Sequence, residues 1–161
     1  MNDRELSPHF SLFDLTRTDH SDLQEENRHV TDEEEHKLCE VANLLEACRT
    51  LLGCDLDVHS GRRYLELNKR VGGSPGSQHQ KCEAADFSPS GPDTEESIAD
   101  ASQKIAASDL QFGQLIAESS GVGREGRKYW VHISLGEPYR DQERCGQVFV
   151  MKNGKIVREA T

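Results

Sequence analysis

The sequence predicts a single α+β domain, with a small, mainly antiparallel sheet and flanking helices. Three observations predict this class: a long helical pattern near the start, several short apolar segments separated by turn residues, and a hairpin signal near the end. Helices interspersed with short strands, of which the last two are joined by a tight turn, are typical of α+β domains. The length of 161 residues fits one domain, so we assign residues 1–161 to a single unit.

The first thirty residues contain one apolar segment and one polar segment. The segment 7–17 predicts a short helical turn that places Phe10, Phe13 and Leu15 toward the core. Residues 18–30 are rich in Asp, Glu and His, and we expect them to form an exposed loop.

The strongest helix signal begins after Thr31. Thr31 and Glu34 have the spacing of a capping box, and Gly53 is a typical helix stop. Apolar residues recur at helical spacing between these two signals, at Leu38, Val41, Leu44, Leu45, Cys48, Leu51 and Leu52. The pattern therefore predicts a helix that ends at about residue 52.

Short strands and two further helical segments are predicted downstream. Strands are expected at 56–60, 82–88, 112–118, 129–135, 146–151 and 155–158, and a helical turn at 64–70. A second helix is expected over 94–107, capped by Asp93 with Glu96 at its third position. Asn153-Gly154 is a strong hairpin signal between the last two strands.

Composition excludes several classes of partner. Lys and Arg number 19 against 29 Asp and Glu, so the net charge of −10 disfavours nucleic acid and anionic membranes. The mean hydropathy is −0.74 and no long apolar run occurs, which predicts no transmembrane segment. The opening MNDRELSPHF has no signal-peptide pattern, so we expect synthesis in the cytoplasm without a signal peptide. Five cysteines without a CxxC pair favour a reducing compartment over a disulfide framework.

Two segments contain residues that could bind a metal ion. SQHQKCEAAD, at 77–86, contains His79 and Asp86, and YWVHIS, at 129–134, places His132 in the middle of a strand. Two histidines and one carboxylate suit Zn²⁺ and leave a fourth position for water, as a hydrolytic site requires. From these residues alone, an exposed loop histidine, a capping aspartate and a hydrogen-bonded strand histidine remain alternatives.

Several motifs, in order, resemble those of one enzyme family. SQHQKCEAAD is similar to the SxHxxGxAxD signature of the zinc D-Ala-D-Ala carboxypeptidase and murein endopeptidase family, which shares its fold with the hedgehog signalling domain. Further similar segments are SPHFSLFDLT near the start, typical of the phage and bacterial subgroup, SGRR at 60–63, LN at 67–68, VGGSPGSQH at 71–79, FGQLIAE at 112–118 and WVHIS at 130–134. The resemblance implies a hedgehog-like, D-Ala-D-Ala metallopeptidase-like α+β fold.

The resemblance also implies roles for individual residues. It implies that His79, Asp86 and His132 bind Zn²⁺ and that Glu118 is the general base. It further implies that Arg63 is catalytic or binds substrate, by holding a carboxylate or polarising the scissile carbonyl. Ser77 is expected to orient a ligand, and Trp130 to line the substrate cleft. A solvated Glu118 and a structural ion pair of Arg63 are the alternatives.

The sequence departs from the family pattern at two places. Cys82 replaces the glycine of the signature, so either a positive φ makes Cys82 strained or its thiolate competes as a zinc ligand. Arg62 and Tyr64 replace the residues that flank the family arginine, which leaves Arg62 as an alternative to Arg63. The loop 119–128 is expected to flank the cleft.

The implied function is zinc-dependent hydrolysis of a peptide bond in peptidoglycan stem peptides. The enzyme would be a D-Ala-D-Ala carboxypeptidase or a murein endopeptidase, such as a phage lysin, acting on the cell wall after phage-type release or from a virion. The alternative is a zinc-containing module without catalysis, either wall-binding or a structural part of a phage. Glu118 separates the two hypotheses, because only the enzyme needs a general base.

Overall fold

The described part of the chain folds into one six-stranded sheet with four α-helices. The structure is a computed structural model that describes residues 3–121 and 126–160. The helices are α1 (Gln24–Arg28), α2 (Asp32–Leu52), α3 (Leu65–Arg70) and α4 (Glu95–Ala106). The strands are β1 (Leu56–Ser60), β2 (Ala84–Pro89), β3 (Gln114–Ser120), β4 (Lys128–Ser134), β5 (Gln147–Lys152) and β6 (Lys155–Ala160).

The sheet has the order β1-β2-β4-β3-β5-β6. Only β3 and β5 are parallel, and the other four neighbouring pairs are antiparallel. This arrangement confirms the predicted α+β class with a mainly antiparallel sheet. The predicted strands are all present, with bounds displaced by one or two residues.

The hydrophobic core lies between one face of the sheet and the helices α2 and α4. Side chains that alternate along β2, β3 and β4 face this layer, namely Ala85, Phe87, Leu115, Val131 and Ile133. They form one buried cluster with apolar residues of the two helices, Leu38, Val41, Leu45, Ile98, Ala101 and Ile105. Because strand side chains alternate between faces, the intervening residues of β2, β3 and β4 face away from the core.

Local signals placed the ends of the long helix and the final hairpin correctly. The N–H of Glu34 donates to Thr31 Oγ1 (3.2 Å), and the N–H of Thr31 donates to Glu34 Oε2 (2.8 Å), which confirms the capping box. Gly53 ends the helix with a φ of 69°. Asn153 and Gly154 have φ values of 51° and 72°, as a tight hairpin turn requires.

The prediction for the N-terminal segment was wrong for one aromatic residue. Phe10 and Leu15 are buried, but Phe13 is 41% exposed. The guanidinium of Arg28 lies 5.7 Å from the centre of the Phe13 ring, so a cation–π contact covers one side of this ring.

Residues 18–30 are not simply an exposed loop. They contain a 3₁₀ turn and α1, and Asn27 is fully buried. The Asn27 side chain donates to the carbonyls of Thr16 (2.7 Å) and Arg62 (2.8 Å) and accepts from the N–H of Tyr64 (3.0 Å). Asn27 therefore ties the N-terminal segment to the backbone on both sides of Arg63.

The predicted cap of α4 was one residue too early. Thr94, not Asp93, is the N-cap, and Ser97, not Glu96, occupies the third helical position. The N–H of Ser97 donates to Thr94 Oγ1 and the N–H of Thr94 donates to Ser97 Oγ, both at 3.1 Å. This reciprocal pair satisfies two N–H groups at the helix start and explains why the helix begins after Thr94.

Two further observations concern the loop after β3 and the apolar character of the helices. β3 extends to Ser120 and β4 begins at Lys128, so the predicted loop 119–128 is shorter, and its residues 122–125 lie outside the described residues. No helix in the described part of the chain is long and apolar enough to cross a membrane.

Candidate metal centre

The sheet face opposite the core carries side chains in three rows that run across the strands. The middle row, here the ligand row, consists of Asp86, His132, Ile116 and Phe149. On one side lies the upper row, which consists of Trp130, Glu118 and Met151. On the other side lies the lower row, which consists of Ala84, Ser134, Gln114 and Gln147.

Three of the predicted residues converge on one point of this face. His79 Nε2 lies 3.2 Å from Asp86 Oδ1 and 3.2 Å from His132 Nδ1, and His132 Nδ1 lies 2.9 Å from Asp86 Oδ1. All three side chains are buried. Asp86 and His132 meet because β2 pairs with β4 in this register, while His79 reaches them from the loop between α3 and β2.

Hydrogen bonds fix the orientation of the His79 ring. His79 Nδ1 donates to the carbonyl of Gly61 at 2.6 Å, so Nε2 is the free acceptor that faces Asp86 and His132. The N–H of Arg63 donates to the His79 carbonyl (3.1 Å), and the His79 N–H donates to Ser77 Oγ (3.3 Å). Ser77 therefore holds the backbone of His79, and Ser77 also lines the cleft.

Gln78 orients the second histidine and was missed in the sequence. His132 Nε2 donates to Gln78 Oε1 at 3.0 Å, which leaves His132 Nδ1 as the acceptor. The Gln78 amide in turn donates to Ser134 Oγ (2.9 Å), which also accepts the N–H of Gln114 (2.9 Å). The only signal in the sequence was an amide directly before His79 in SQH.

The charges and lone pairs at this point fit a cation. Although burial opposes it, the neighbouring His79 and His132 hold the pKa of Asp86 well below its usual range. Burial lowers the pKa of His79, which favours its neutral ring. With the outer ring nitrogens donating as above, each neutral imidazole presents a lone pair toward the Asp86 carboxylate, which is the arrangement that a cation requires. Tetrahedral zinc places such ligands about 3.3 Å apart, close to the observed 2.9–3.2 Å.

Arg63 and Arg62 have clearly different surroundings. Arg63 Nη2 donates to Asp86 Oδ2, and its Nε donates to Ser60 Oγ (2.8 Å), so Arg63 lies at the site. Arg62 is buried away from the site, where it pairs with Glu34 at 3.1 Å. Asp86 thus presents one oxygen to Arg63 and the other to the two histidines.

Glu118 lies in the upper row, opposite Trp130 and diagonal to His132. Burial and the negative charge of Asp86 raise the pKa of Glu118 above its usual value. The indole N–H of Trp130 is buried and has no hydrogen-bond partner among the described residues. Both side chains line the same cleft as the three candidate ligands.

Cys82 is strained and is not part of the cluster. Its φ is 60°, and its side chain is fully buried within the hydrophobic core. Burial raises the pKa of the Cys82 thiol to about 12, which disfavours a thiolate. Among the described residues, the group that could hold a metal ion contains His79, Asp86 and His132 without Cys82. Of the two consequences expected when Cys82 replaces the signature glycine, the structure therefore shows the strained backbone and not a thiolate ligand.

The cluster lies in an open cleft of about 910 Å³. The loop between α3 and β2 and the segment 17–20 form part of its wall, and apolar side chains of β5 and β6 form another part. Arg140 and Arg144, which follow β4, line it as well. This volume is large enough for a peptide segment to bind across the ligand row.

The chain was compared with models of known protein families and with curated proteins. The family model described as Peptidase M15 matches residues 13–134 of the chain. The matched range includes Arg63, His79, Asp86, Glu118 and His132, whereas β5 and β6 lie outside it. No curated protein matches the chain.

Proposed function

The chain belongs to the peptidase M15 family, and from that premise we propose that it is a zinc-dependent peptidase that cleaves peptidoglycan stem peptides. The observation that carries this proposal is the convergence of His79 Nε2, Asp86 Oδ1 and His132 Nδ1 in a cleft that also contains Glu118. Two histidines and one carboxylate with an open fourth position are the ligand set of catalytic zinc sites.

Zinc is the metal that this donor set favours, and its ligands are pre-oriented for it. Two nitrogen donors and one oxygen donor suit zinc better than the all-oxygen sites of magnesium or calcium. Bound zinc supplies Lewis acidity, which makes a water molecule more acidic and a carbonyl carbon more electrophilic. Gly61 and Gln78 fix the two imidazole rings before any ion binds, as in other metal sites with ordered outer partners.

Glu118 is the proposed general base. Its carboxylate lies one row above the ligands, on the same face of the sheet, so it can take a proton from the attacking water. Burial beside Asp86 raises its pKa, which favours its holding that proton until the leaving amine accepts it. The same residue thus acts first as base and then as acid.

Arg63 and Trp130 are the proposed substrate-binding residues. Arg63 uses Nε and Nη2 to contact Ser60 and Asp86, and its remaining N–H groups are available to a carbonyl or carboxylate of the substrate. The Trp130 side chain lines the cleft opposite Glu118 and offers an aromatic surface to the substrate. Ser77 contributes indirectly, by holding the backbone of His79.

The competing hypothesis is a zinc-containing wall-binding or phage structural module without catalysis. Such a module needs the three ligands but not a base. The half-buried position of Glu118 in the cleft, diagonal to His132, supports hydrolysis instead. Partial desolvation of the Glu118 carboxylate costs free energy, and a module that only binds the cell wall has no need for a carboxylate at this position.

Mass spectrometry of fragments released from purified peptidoglycan tests the proposal. The zinc-loaded wild type should generate new peptide termini, whose masses identify the cleaved bond and separate carboxypeptidase from endopeptidase activity. Glu118→Gln, which preserves the shape of the side chain, should lower the rate by about 10²–10⁴-fold. Glu96→Gln, at the exposed start of α4, is the matched control and should retain full activity.

Two results would count against the proposal. A folded, zinc-loaded wild type that releases no fragments would favour the binding module. Full activity in Glu118→Gln would remove the proposed base while leaving the peptidase assignment intact.

A further inference from the structure

A pair of arginines occupies the lower end of the cleft without a carboxylate partner. Arg140 and Arg144 lie in the segment between β4 and β5 and line the same cleft as the candidate ligands. Six arginines of the described residues are paired with carboxylates within 4 Å, whereas the ion pairs include neither Arg140 and Arg144 nor Arg17 and Arg158. Asp141, beside Arg140 in the sequence, is also outside ion-pair distance of both.

The guanidinium of Arg140 is held over the lower row of the sheet. Its Nη2 donates to Gln147 Oε1 (2.9 Å), and its Nε donates to the carbonyl of Arg144 (2.7 Å). A Cβ atom at Gly113 would lie 2.9 Å from Arg140 Cδ, so the absence of a side chain at Gly113 makes room for this arginine. Arg140 is therefore placed by specific contacts and is not a freely moving surface side chain.

Most of the donors of Arg140 remain available. A guanidinium has five N–H groups, and the two contacts above use two of them. The Nη1 end and the second hydrogen of Nη2 are left for a ligand. These are the groups that form paired hydrogen bonds with a carboxylate.

The local charge also favours an anion. Burial and the positive charge of Arg144 lower the pKa of Arg140, so the two guanidinium groups repel each other. The side chains nearest in the lower row, Gln114 and Gln147, are neutral amides. Asp141 offsets part of this charge at longer range, but no carboxylate of the described residues forms an ion pair with either guanidinium group at this end of the cleft.

From these observations we infer that Arg140, assisted by Arg144, forms a subsite for a carboxylate of the substrate peptide. This inference rests on the proposed function and specifies its substrate class: a peptide with a free carboxylate near the bond that is cut. The lower row is two residues along the strand from the ligand row, about 7 Å, and Gln147 lies two strands across the sheet from His132, about 10 Å at right angles. An extended peptide spans the resulting diagonal of about 12 Å in about three to four residues, so the carboxylate lies about three to four residues from the scissile carbonyl. It lies on the opposite side from Glu118, which keeps the two negative charges apart.

The test uses two synthetic peptides that differ in one group. Both contain the bond identified by mass spectrometry, and one has the nearby carboxylate free whereas the other has it amidated. The catalytic efficiency, kcat/KM, is measured for each peptide with zinc-loaded wild type, Arg140→Gln, Arg144→Gln and Arg158→Gln. Arg158 lies on β6 outside the cleft, so it controls for the loss of one positive charge.

The expected result is a preference that depends on Arg140. Wild type and Arg158→Gln should cleave the free-carboxylate peptide at least tenfold more efficiently than the amidated one, chiefly through a lower KM. Arg140→Gln should lose this preference by slowing only the free-carboxylate peptide, and Arg144→Gln should reduce it. Because Arg144 is exposed, the second variant tests the subsite even where Arg140→Gln fails to fold.

The two possible failures are distinguishable. Equal cleavage of both peptides by the wild type, or an unchanged preference in Arg140→Gln, overturns the carboxylate subsite and leaves the peptidase intact. Cleavage of neither peptide by the wild type overturns the proposed function and the subsite with it.

Discussion

His132 Nε2 donates a hydrogen bond of 3.0 Å to Gln78 Oε1, although the two residues are 54 positions apart in the sequence. With the proton on Nε2, the other ring nitrogen, Nδ1, is the acceptor, and it lies 2.9 Å from Asp86 Oδ1. Gln78 is the residue immediately before the candidate ligand His79, so one short loop supplies a ligand and the group that orients another. We therefore propose that Gln78 is a positioning residue for the candidate ligand His132.

Replacing Gln78 should weaken zinc binding without unfolding the protein. Gln78→Leu removes the acceptor for His132 Nε2, so the ring can adopt the wrong tautomer, and we expect a 10–100-fold loss of zinc affinity. Gln78→Glu retains an acceptor and should bind zinc within a few fold of wild type. Competition with a coloured chelator measures both affinities.

A neighbouring amide provides the control for that experiment. Gln80 donates to the carbonyls of Ser74 and Pro75 and has no hydrogen bond to either histidine ring. Gln80→Leu should therefore leave zinc affinity unchanged. Wild-type affinity in Gln78→Leu would show that the bond to His132 does not position the ligand.

Zinc should also stabilise the fold. Donor atoms of His79, Asp86 and His132 lie within 2.9–3.2 Å of one another only in the folded chain, so zinc should bind the folded state in preference to the unfolded state. Free zinc at 100 times its Kd should stabilise the folded state by about 2.7 kcal/mol, raising Tm by about 5–10 °C. Differential scanning calorimetry with zinc and with excess chelator measures the difference.

Two histidine variants, one at the cluster and one away from it, test whether the change in Tm arises at the cluster. His79→Ala should abolish the zinc-dependent shift, whereas His36→Ala, on α2 and outside the cluster, should preserve it. An identical Tm for the wild type with zinc and with chelator would argue that the cluster does not bind this metal.

Much of the fold could be predicted because its signals are local. The capping box of Thr31 and Glu34, the left-handed Gly53 and the Asn153-Gly154 turn each depend on a few neighbouring residues. The error at Asp93 was also local, since Thr94 competes for the same role one residue later.

The arrangement of the site could be predicted only in part, because it depends on strand register. Motifs suggested His79, Asp86 and His132 as ligands, and the pairing of β2 with β4 brings two of them side by side. The partnership of Gln78 with His132 requires a contact across 54 residues, which no local pattern indicates. Arg140 follows the last matched strand in an irregular segment, and its position depends on the space left at Gly113.

Arg62 should contribute to the stability of the fold, whereas its neighbour Arg63 lies at the candidate metal centre. Arg62 pairs with Glu34 (3.1 Å) and also donates to the backbone carbonyls of Glu26 (3.3 Å) and Asn27 (3.1 Å). Arg62→Met leaves these partly buried acceptors unsatisfied, so we expect the free energy of unfolding to fall by about 2 kcal/mol. Urea denaturation of the zinc-loaded protein measures this loss, and zinc affinity should not change.

An exposed ion pair provides the comparison for Arg62. Arg49 pairs with Asp55 at 2.7 Å, but Asp55 is largely exposed, so Arg49→Met should cost less than about 1 kcal/mol. If Arg49→Met and Arg62→Met lowered the free energy of unfolding equally, or if Arg62→Met lost zinc affinity, the structural role proposed for Arg62 would be wrong.

Cys82 should be chemically inert although it replaces the signature glycine beside the ligands. The Cys82 thiol has a pKa of about 12, so at pH 8 only about one molecule in 10⁴ has the thiolate that reacts with iodoacetamide. Because the raised pKa disfavours the charged form, reactivity should increase only as the pH rises toward 12. Peptide mapping after brief alkylation should leave Cys82 unmodified in folded protein and modified in urea.

Cys82→Ala should retain wild-type zinc affinity, since the side chain is buried in the core and outside the ligand cluster. Rapid alkylation at pH 8, protected by zinc, would instead identify Cys82 as a ligand and require a different set of donors at this centre.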